Sequence, residues 1–394
     1  MSEDPYNPRA FFSGLNAPLP SVFLSPQRYI QGPGVLNQLG NYLSLHAVKR
    51  VAVLGSRRAL GNEGSRVTDS LHGAGIDVVT ATFNGECSLK EVNRQVDAMK
   101  NESLDSLVAV GGGKTVDAGK CVAHRLGIGA VIAPTLASND APCSSLSAVY
   151  TPDGAHELIE YFPRSPDLVV VDTDVVVEAD ERYLVAGMGD AMATWYEARV
   201  CFNNPAALVP AGARPTLAAC AISEICAQSL YENGEAAAAA VAASAYEDSV
   251  EKAVEANTLL SGIGFESGGI AMAHPLALAY THIDRVNHNY LHGEMVAMGT
   301  MAQLVLEQSP DIRKAATFFA RVGLPIHLGQ LSLSPDASED LDALAEVTFE
   351  SPNSHYMPIA LSQELIRESI LEAHEVGLAI SREIGDEAYR RLHA

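Results

Sequence analysis

Ser106-Leu107-Val108-Ala109-Val110-Gly111-Gly112-Gly113-Lys114-Thr115-Val116-Asp117 is the stretch that decides the fold. A short apolar run ends in three glycines, and helical periodicity continues from Thr115 to Leu126. Glycines let a backbone approach a pyrophosphate closely, and a helix N-terminus offers free N–H groups and a positive dipole end. A P-loop is excluded, because its first glycine would fall at residue 108, which is Val108. The Gly-x-Gly-x-x-Gly pattern is absent as well.

Working outward, the same alternation recurs. Pro26 to Pro33 reads as an extended lead-in, Val35 to Leu45 as a helix and Arg50 to Gly55 as a buried strand. A helix over 62–74 precedes a strand at Asp77 to Phe83, and Glu91 to Lys100 is helical. Gly129 to Ala133 and Asp167 to Asp172 are further strands, and Ser147 to Gly154 ends in a Pro-Asp-Gly turn that predicts a hairpin. Strands alternating with helices at this spacing predict a doubly wound parallel sheet. Beyond residue 180 no segment reads as a strand. Thr216 to Tyr231 and Glu235 to Gly262 are Ala-rich with helical periodicity. The predicted divisions are an arm over 1–20, loose in composition, an α/β domain over 21–180 and an all-α domain over 181–394.

Bulk properties narrow the class. The chain has 394 residues and 47% hydrophobic content, enough for a large core. A net charge of −22 speaks against a nucleic-acid partner, which needs a basic face. None of the six cysteines lies in a Cys-x-x-Cys pair, so no zinc ribbon or redox dithiol is signalled. The acidic start Met1-Ser2-Glu3-Asp4-Pro5 does not read as a signal peptide, and no apolar run reaches about 18 residues. The expectation is a cytoplasmic protein with no membrane partner.

Several residues could carry chemistry. Ala133 to Ser144 leaves a strand with hydroxyls, an amide and Asp140 between two prolines, a loop suited to a ribose or an alcohol. Asp190, after Gly187-Met188-Gly189, reads as a helix-opening acid or a ligand. His274 lies among apolar residues, and His292 precedes Gly293-Glu294. His282, His288 and Glu294 are also near, and His288 and His292 would share a face if their segment were helical. Composition alone does not choose among them.

Ala137-Ser-Asn-Asp-Ala-Pro-Cys-Ser-Ser-Leu-Ser-Ala-Val-Tyr-Thr151, Val185-Ala-Gly-Met-Gly-Asp-Ala-Met-Ala-Thr-Trp195, Glu255 to Gly269 and His292-Gly-Glu294 resemble the glycerol dehydrogenase branch of the iron-containing (group III) alcohol dehydrogenases, a branch that uses zinc. The resemblance runs over roughly 22–385. It implies an N-terminal Rossmann-like domain, a helical C-terminal domain and an active-site cleft between them. Its metal ligands fall on Asp190, His274 and His292, with zinc or another divalent ion bound. Its polyol-contacting carboxylate falls on Asp140. Its cofactor contacts fall on Gly112, Gly113, Lys114, Thr135, Ser138, Ser144, Leu146 and Tyr150. A homo-oligomer is expected.

This sequence departs from the pattern twice. Iron-type members carry a further His four residues after the Asp, where this chain has Thr194; three ligands suit an open zinc site. NAD-using relatives often place an acid at the end of the first strand, where this chain has Gly55-Ser56-Arg57-Arg58. Two arginines without an acid suit a 2′-phosphate, so NADP is expected to be accepted alongside NAD. The implied reaction is oxidation of glycerol or a related small diol to the ketone, with hydride passing to NAD(P). A dehydroquinate-synthase-like lyase and a non-catalytic metal-binding protein are the alternatives. The lyase would need several basic residues at the cleft, where Arg285 is the main candidate.

Overall fold

The structure is a computed structural model and describes residues 6–15 and 17–394. Met1 to Pro5, on which the leader reading rests, lie outside the described residues. Among the described residues eight strands form: β1 (Tyr29–Gly32), β2 (Arg50–Gly55), β3 (Asp77–Thr82), β4 (Ser106–Gly111), β5 (Gly129–Pro134), β6 (Leu146–Tyr150), β7 (His156–Tyr161) and β8 (Leu168–Asp172). Six of them make one sheet in the order β1-β8-β5-β4-β2-β3, with every neighbouring pair parallel. β6 and β7 pair antiparallel as a separate hairpin, as the Pro-Asp-Gly turn predicts. β1 was legible only as an extended lead-in, because four residues between two prolines are too few to show a period.

Both faces of the sheet are covered, so its central strands read as unbroken apolar runs rather than alternating ones. Val51, Val53, Val108 and Val110 pack with Leu36, Leu39, Val67 and Leu71 on one face. Ala52, Leu54, Leu107 and Ala109 point to the other, into a core that continues through Met188, Leu276 and Val296 of the helical half. β2 hands the chain to β3 on one side, and the chain returns to β4 on the other. The order therefore reverses between β2 and β4. Gly55 lies opposite Val110, and Gly111 opposite Pro134. The glycine turn and the Gly55-Ser56 turn thus flank the crevice where open α/β sheets bind ligands.

After β8, all regular structure is helical. The Ala-rich region divides differently from the periodicity reading. Leu217–Ala242 is one helix, and the break comes after it, before Asp248–Glu255. Gly234 does not interrupt it. A Cβ there would lie 2.8 Å from the Phe318 ring, so this glycine serves close packing. The arm is not loose over its described part. Asn7 caps the helix Pro8–Ser13, and Phe12, Val22 and Leu24 pack on Val209, Ala211 and Ala213. Gly212 has φ +73°, and a Cβ on it would stand 2.5 Å from the Arg9 Cα. All six cysteines are free thiols, and no helix among the described residues is long and apolar enough to cross a membrane.

Candidate active site between sheet and helices

Asp190 lies mid-way along the 23-residue helix Glu181–Asn203, not at its start. The flanking glycines signal close approach instead of a cap. A Cβ on Gly187 would lie 2.0 Å from the Ala137 carbonyl oxygen, and one on Gly189 2.3 Å from that of Gly293. From the other side, a Cβ on Gly293 would lie 1.7 Å from the Ala186 oxygen. With no side chain in the way, the helix His292–Leu306 starts directly against the helix that carries Asp190. His292 is its first residue, and its Nε2 stands 3.4 Å from Asp190 Oδ1.

His274 arrives from the helix Ala273–Tyr280, with its Nε2 3.2 Å from Asp190 Oδ1. Its Nδ1 is 2.5 Å from Glu197 Oε2. Glu197 Oε1 accepts the backbone N–H groups of Ala271 (2.9 Å) and His274 (3.1 Å). Glu197 is fully buried and lies two turns along the same helix from Asp190. It was missed in the sequence, although the seven-residue spacing on one helix face is a signal. A carboxylate behind a histidine fixes its tautomer and leaves the far nitrogen free to ligate.

Asp190, His274 and His292 present one donor atom each within 4.8 Å of one another, the one such group among the described residues. One oxygen and two imidazole nitrogens match a zinc-type set of three protein ligands with an open position. The other candidates go elsewhere. His288 is exposed, with Nδ1 on the carbonyl of Asp284, and it sits outside the helix that begins at His292. Glu294 is held by Arg182 and His393. Arg285 bonds to Ser332 and Asp340.

The electrostatics follow from proximity. Burial pushes Asp190 upward, but the His292 and His274 rings outweigh it and hold its carboxyl well below the usual range. For His274, burial favours the neutral ring, yet Glu197 and Asp190 win and raise it well above its ordinary value. Asp140 is raised by burial and by the Asp190 charge. Its backbone N–H donates to Asp190 Oδ2 at 3.2 Å, so Asp140 borders the candidate ligand set.

The positions expected to meet a cofactor line the other wall. Gly112 is the uncapped start of the helix Gly113–Leu126, so its first N–H groups face the crevice without a side-chain partner. A Cβ on Gly113 would lie 2.6 Å from Asn139 Nδ2, so the loop's amide packs directly on the start of this helix. Lys114 pairs with Glu86 at 2.5 Å and lies over the Tyr150 ring. The Thr135 N–H bonds to Gly111 O at 3.0 Å, tying the loop to the glycine turn. Ser138 is half-buried in that loop. Ser144 and Leu146 are anchored by the buried Lys120, whose Nζ donates to Ala141 O (2.8 Å), Ser144 Oγ (3.2 Å) and Leu146 O, beside Asp117 at 3.2 Å. Ser144 is itself fully buried, below the crevice surface.

Position 55 takes no acid. A Cβ on Gly55 would stand 2.9 Å from the Val110 carbonyl oxygen, a backbone atom that cannot swing aside. The first residue with room is Ser56, whose hydroxyl caps the short helix Arg57–Gly61 by accepting the Ala59 N–H. Arg57 and Arg58 are exposed.

Under the same loop lies a second acid that sequence reading missed. Glu266 Oε1 accepts the N–H (2.8 Å) and hydroxyl of Ser145, while Oε2 has no partner. Burial pushes its carboxyl up to about 7 against those bonds. A raised acid favours the fold when protonated. That contribution is present below the unfolded value of 4.5 and is lost as pH rises through about 7. Between pH 5 and 8 the parent should therefore lose about 2–3 kcal/mol relative to Glu266→Gln, as read by denaturant melts of both proteins. A constant difference across that range would show that Glu266 does not titrate there.

Comparison with known proteins agrees with this fold. Residues 26–173 match the family model described as iron-containing alcohol dehydrogenase. The chain is 42% identical to a glycerol dehydrogenase of Escherichia coli, over 90% of this chain and 97% of that protein. It is 38% identical to a glycolaldehyde reductase of Halobacterium salinarum, over 91% of this chain and 98% of that protein. A crystal structure of glycerol dehydrogenase from Schizosaccharomyces pombe superposes with a TM-score of 0.86 at 34% identity, covering 93% of each chain.

Proposed function

The chain belongs to the iron-containing alcohol dehydrogenase family, and from that premise we propose that it is a glycerol dehydrogenase, oxidising the secondary hydroxyl of glycerol or a similar small diol. The observation that supports this reading is the hydrogen bond from the Asp140 backbone N–H to Asp190 Oδ2, next to three residues that could hold a metal ion. When bound, a divalent ion, zinc on this donor set, supplies Lewis acidity and NAD(P) takes up hydride. Asp190 brings negative charge to the site. Glu197 keeps His274 oriented with Nε2 toward Asp190 and the candidate metal site. Gly111 to Lys114 and the loop from Thr135 to Tyr150 hold the dinucleotide, and the cleft lies between a sheet domain over 21–180 and a helical domain over 181–394. A matrix of small alcohols and carbonyls, assayed with both nicotinamide cofactors by absorbance, tests the proposal. Absence of turnover with every small diol and its ketone would overturn it. The glycolaldehyde reductase relative supports a second reading, reduction of a small hydroxyaldehyde at the same site, which the carbonyl arm of the matrix resolves.

Asp140 acts on the substrate's second hydroxyl. Asp140→Asn should raise KM for glycerol by roughly tenfold to a hundredfold, while sparing 2-propanol, because a hydrogen bond to a charged acceptor is worth about 1.5–3 kcal/mol. An equal effect on both alcohols would remove this role.

The β2 turn reads the cofactor's 2′ position. With Ser56 in place of an acid and Arg57 and Arg58 exposed beside it, NADP is used at a rate comparable with NAD. Ser56→Asp is the informative variant, since aspartate caps a helix as well as serine does. It should lower kcat/KM for NADP by on the order of tenfold or more through charge repulsion and leave NAD little changed. A parent that prefers NAD a hundredfold, with the variant unchanged, would show that this turn does not read the 2′ group.

A further inference from the structure

Thr194 and Ser261 are both fully buried, and their hydroxyl oxygens lie 2.9 Å apart. Ser261 in turn donates to Asp140 Oδ2 at 3.1 Å. A serine has one hydroxyl proton to give, and here it goes to Asp140 Oδ2. The pair is therefore directional: Thr194 donates to Ser261, and Ser261 donates to Asp140. The local backbone is built for this contact. A π-helical turn at Ala256–Leu260 immediately precedes Ser261. Asn257 of that turn donates to Ala137 O (2.9 Å) and Leu184 O (3.0 Å), clamping the loop that carries Asp140. Gly262 brings the helix backbone in: a Cβ there would lie 3.0 Å from the Asp140 carbonyl oxygen. Single π turns of this kind are often found at functional sites.

The final torsion of an aspartate is broad and nearly two-fold, so its carboxylate plane has little intrinsic preference. At Asp140 the backbone is fixed by Asp190 and the carboxylate plane by Ser261. We infer that Ser261, backed by Thr194, is a positioning residue that orients Asp140 toward the second hydroxyl of the substrate and so sets the preference for diols over monoalcohols. This rests on the reading of Asp140 as the diol-binding carboxylate.

The test measures kcat and KM for glycerol and for 2-propanol, with metal content and thermal midpoint, in the parent, Asp140→Asn, Ser261→Ala, the double variant, Thr194→Val and Thr194→Ser. Ser261→Ala should raise KM for glycerol on the order of tenfold, leave 2-propanol and metal content unchanged, and add nothing on top of Asp140→Asn. Thr194→Val, which keeps the shape, should shift the same ratio in the same direction, and Thr194→Ser should restore it. Should Ser261→Ala fail to fold, the two Thr194 variants decide. Equal effects of Ser261→Ala on both alcohols, full additivity with Asp140→Asn, or loss of metal would overturn the inference. A diol-selective Asp140→Asn beside a neutral Ser261→Ala overturns it alone, whereas an unselective Asp140→Asn removes the underlying reading of Asp140.

Discussion

Alanine at His292 should lower alcohol oxidation by about a thousandfold or more while the protein stays folded. Lewis-acid stabilisation of a developing alkoxide is worth several kcal/mol, and each 1.4 kcal/mol or so is tenfold in rate. His292 is the cleaner of the two imidazoles to remove, because its side chain is 48% exposed whereas that of His274 is 13% exposed and bonded to Glu197. Metal analysis and a thermal melt on the same sample separate ligand loss from unfolding. Normal metal content with normal turnover in His292→Ala would dismantle the ligand set. His288 offers no replacement, since it stands exposed just past the helix Asp284–Asn287, with its Nδ1 on the carbonyl of Asp284.

Glu197→Gln should weaken metal binding by about 10- to 100-fold with a small change in stability. Glutamine keeps the size of the side chain, and its carbonyl oxygen still accepts from Ala271 and His274. Its amide, however, now donates to His274 Nδ1. The ring proton must then move to Nε2, the nitrogen that faces Asp190 and the ion. Glu197→Ala is harsher, because it strips both backbone N–H groups of their acceptor inside the core, at about 1–3 kcal/mol for each orphaned group. Chelator competition gives the metal affinity of each variant. A Gln variant that binds metal like the parent would show that Glu197 does not set the tautomer.

How much of this was readable beforehand depends on range. β2, β4, β5 and β8 were plain, because a strand buried on both faces is a run of valines and its neighbours in a sheet. The glycine turn was plain for the same reason: its chemistry is local. The position of Asp190 within its helix was not, since Gly187 and Gly189 look like punctuation until the partner backbones at Ala137 and Gly293 are known. The pairing of His288 with His292 failed because the chain breaks between the helices Asp284–Asn287 and His292–Leu306. Gly55 looked like the cofactor-reading position until the Val110 oxygen appeared beside it. The ligand set itself came from the resemblance to a family. Residues that meet only by tertiary packing leave no periodic trace.

That the donors are so far apart along the chain has a thermodynamic consequence. His274 and Asp190 are 84 positions apart, and His292 comes from yet another helix. An unfolded chain therefore holds no preformed chelate for the ion, and binding is confined to the native state. By linkage, free metal at a hundred times its dissociation constant then adds about 2.7 kcal/mol to the folding equilibrium. The melting temperature becomes a titratable reporter of occupancy, rising with each increment of free ion. Metal release and unfolding should coincide in one transition rather than follow one another.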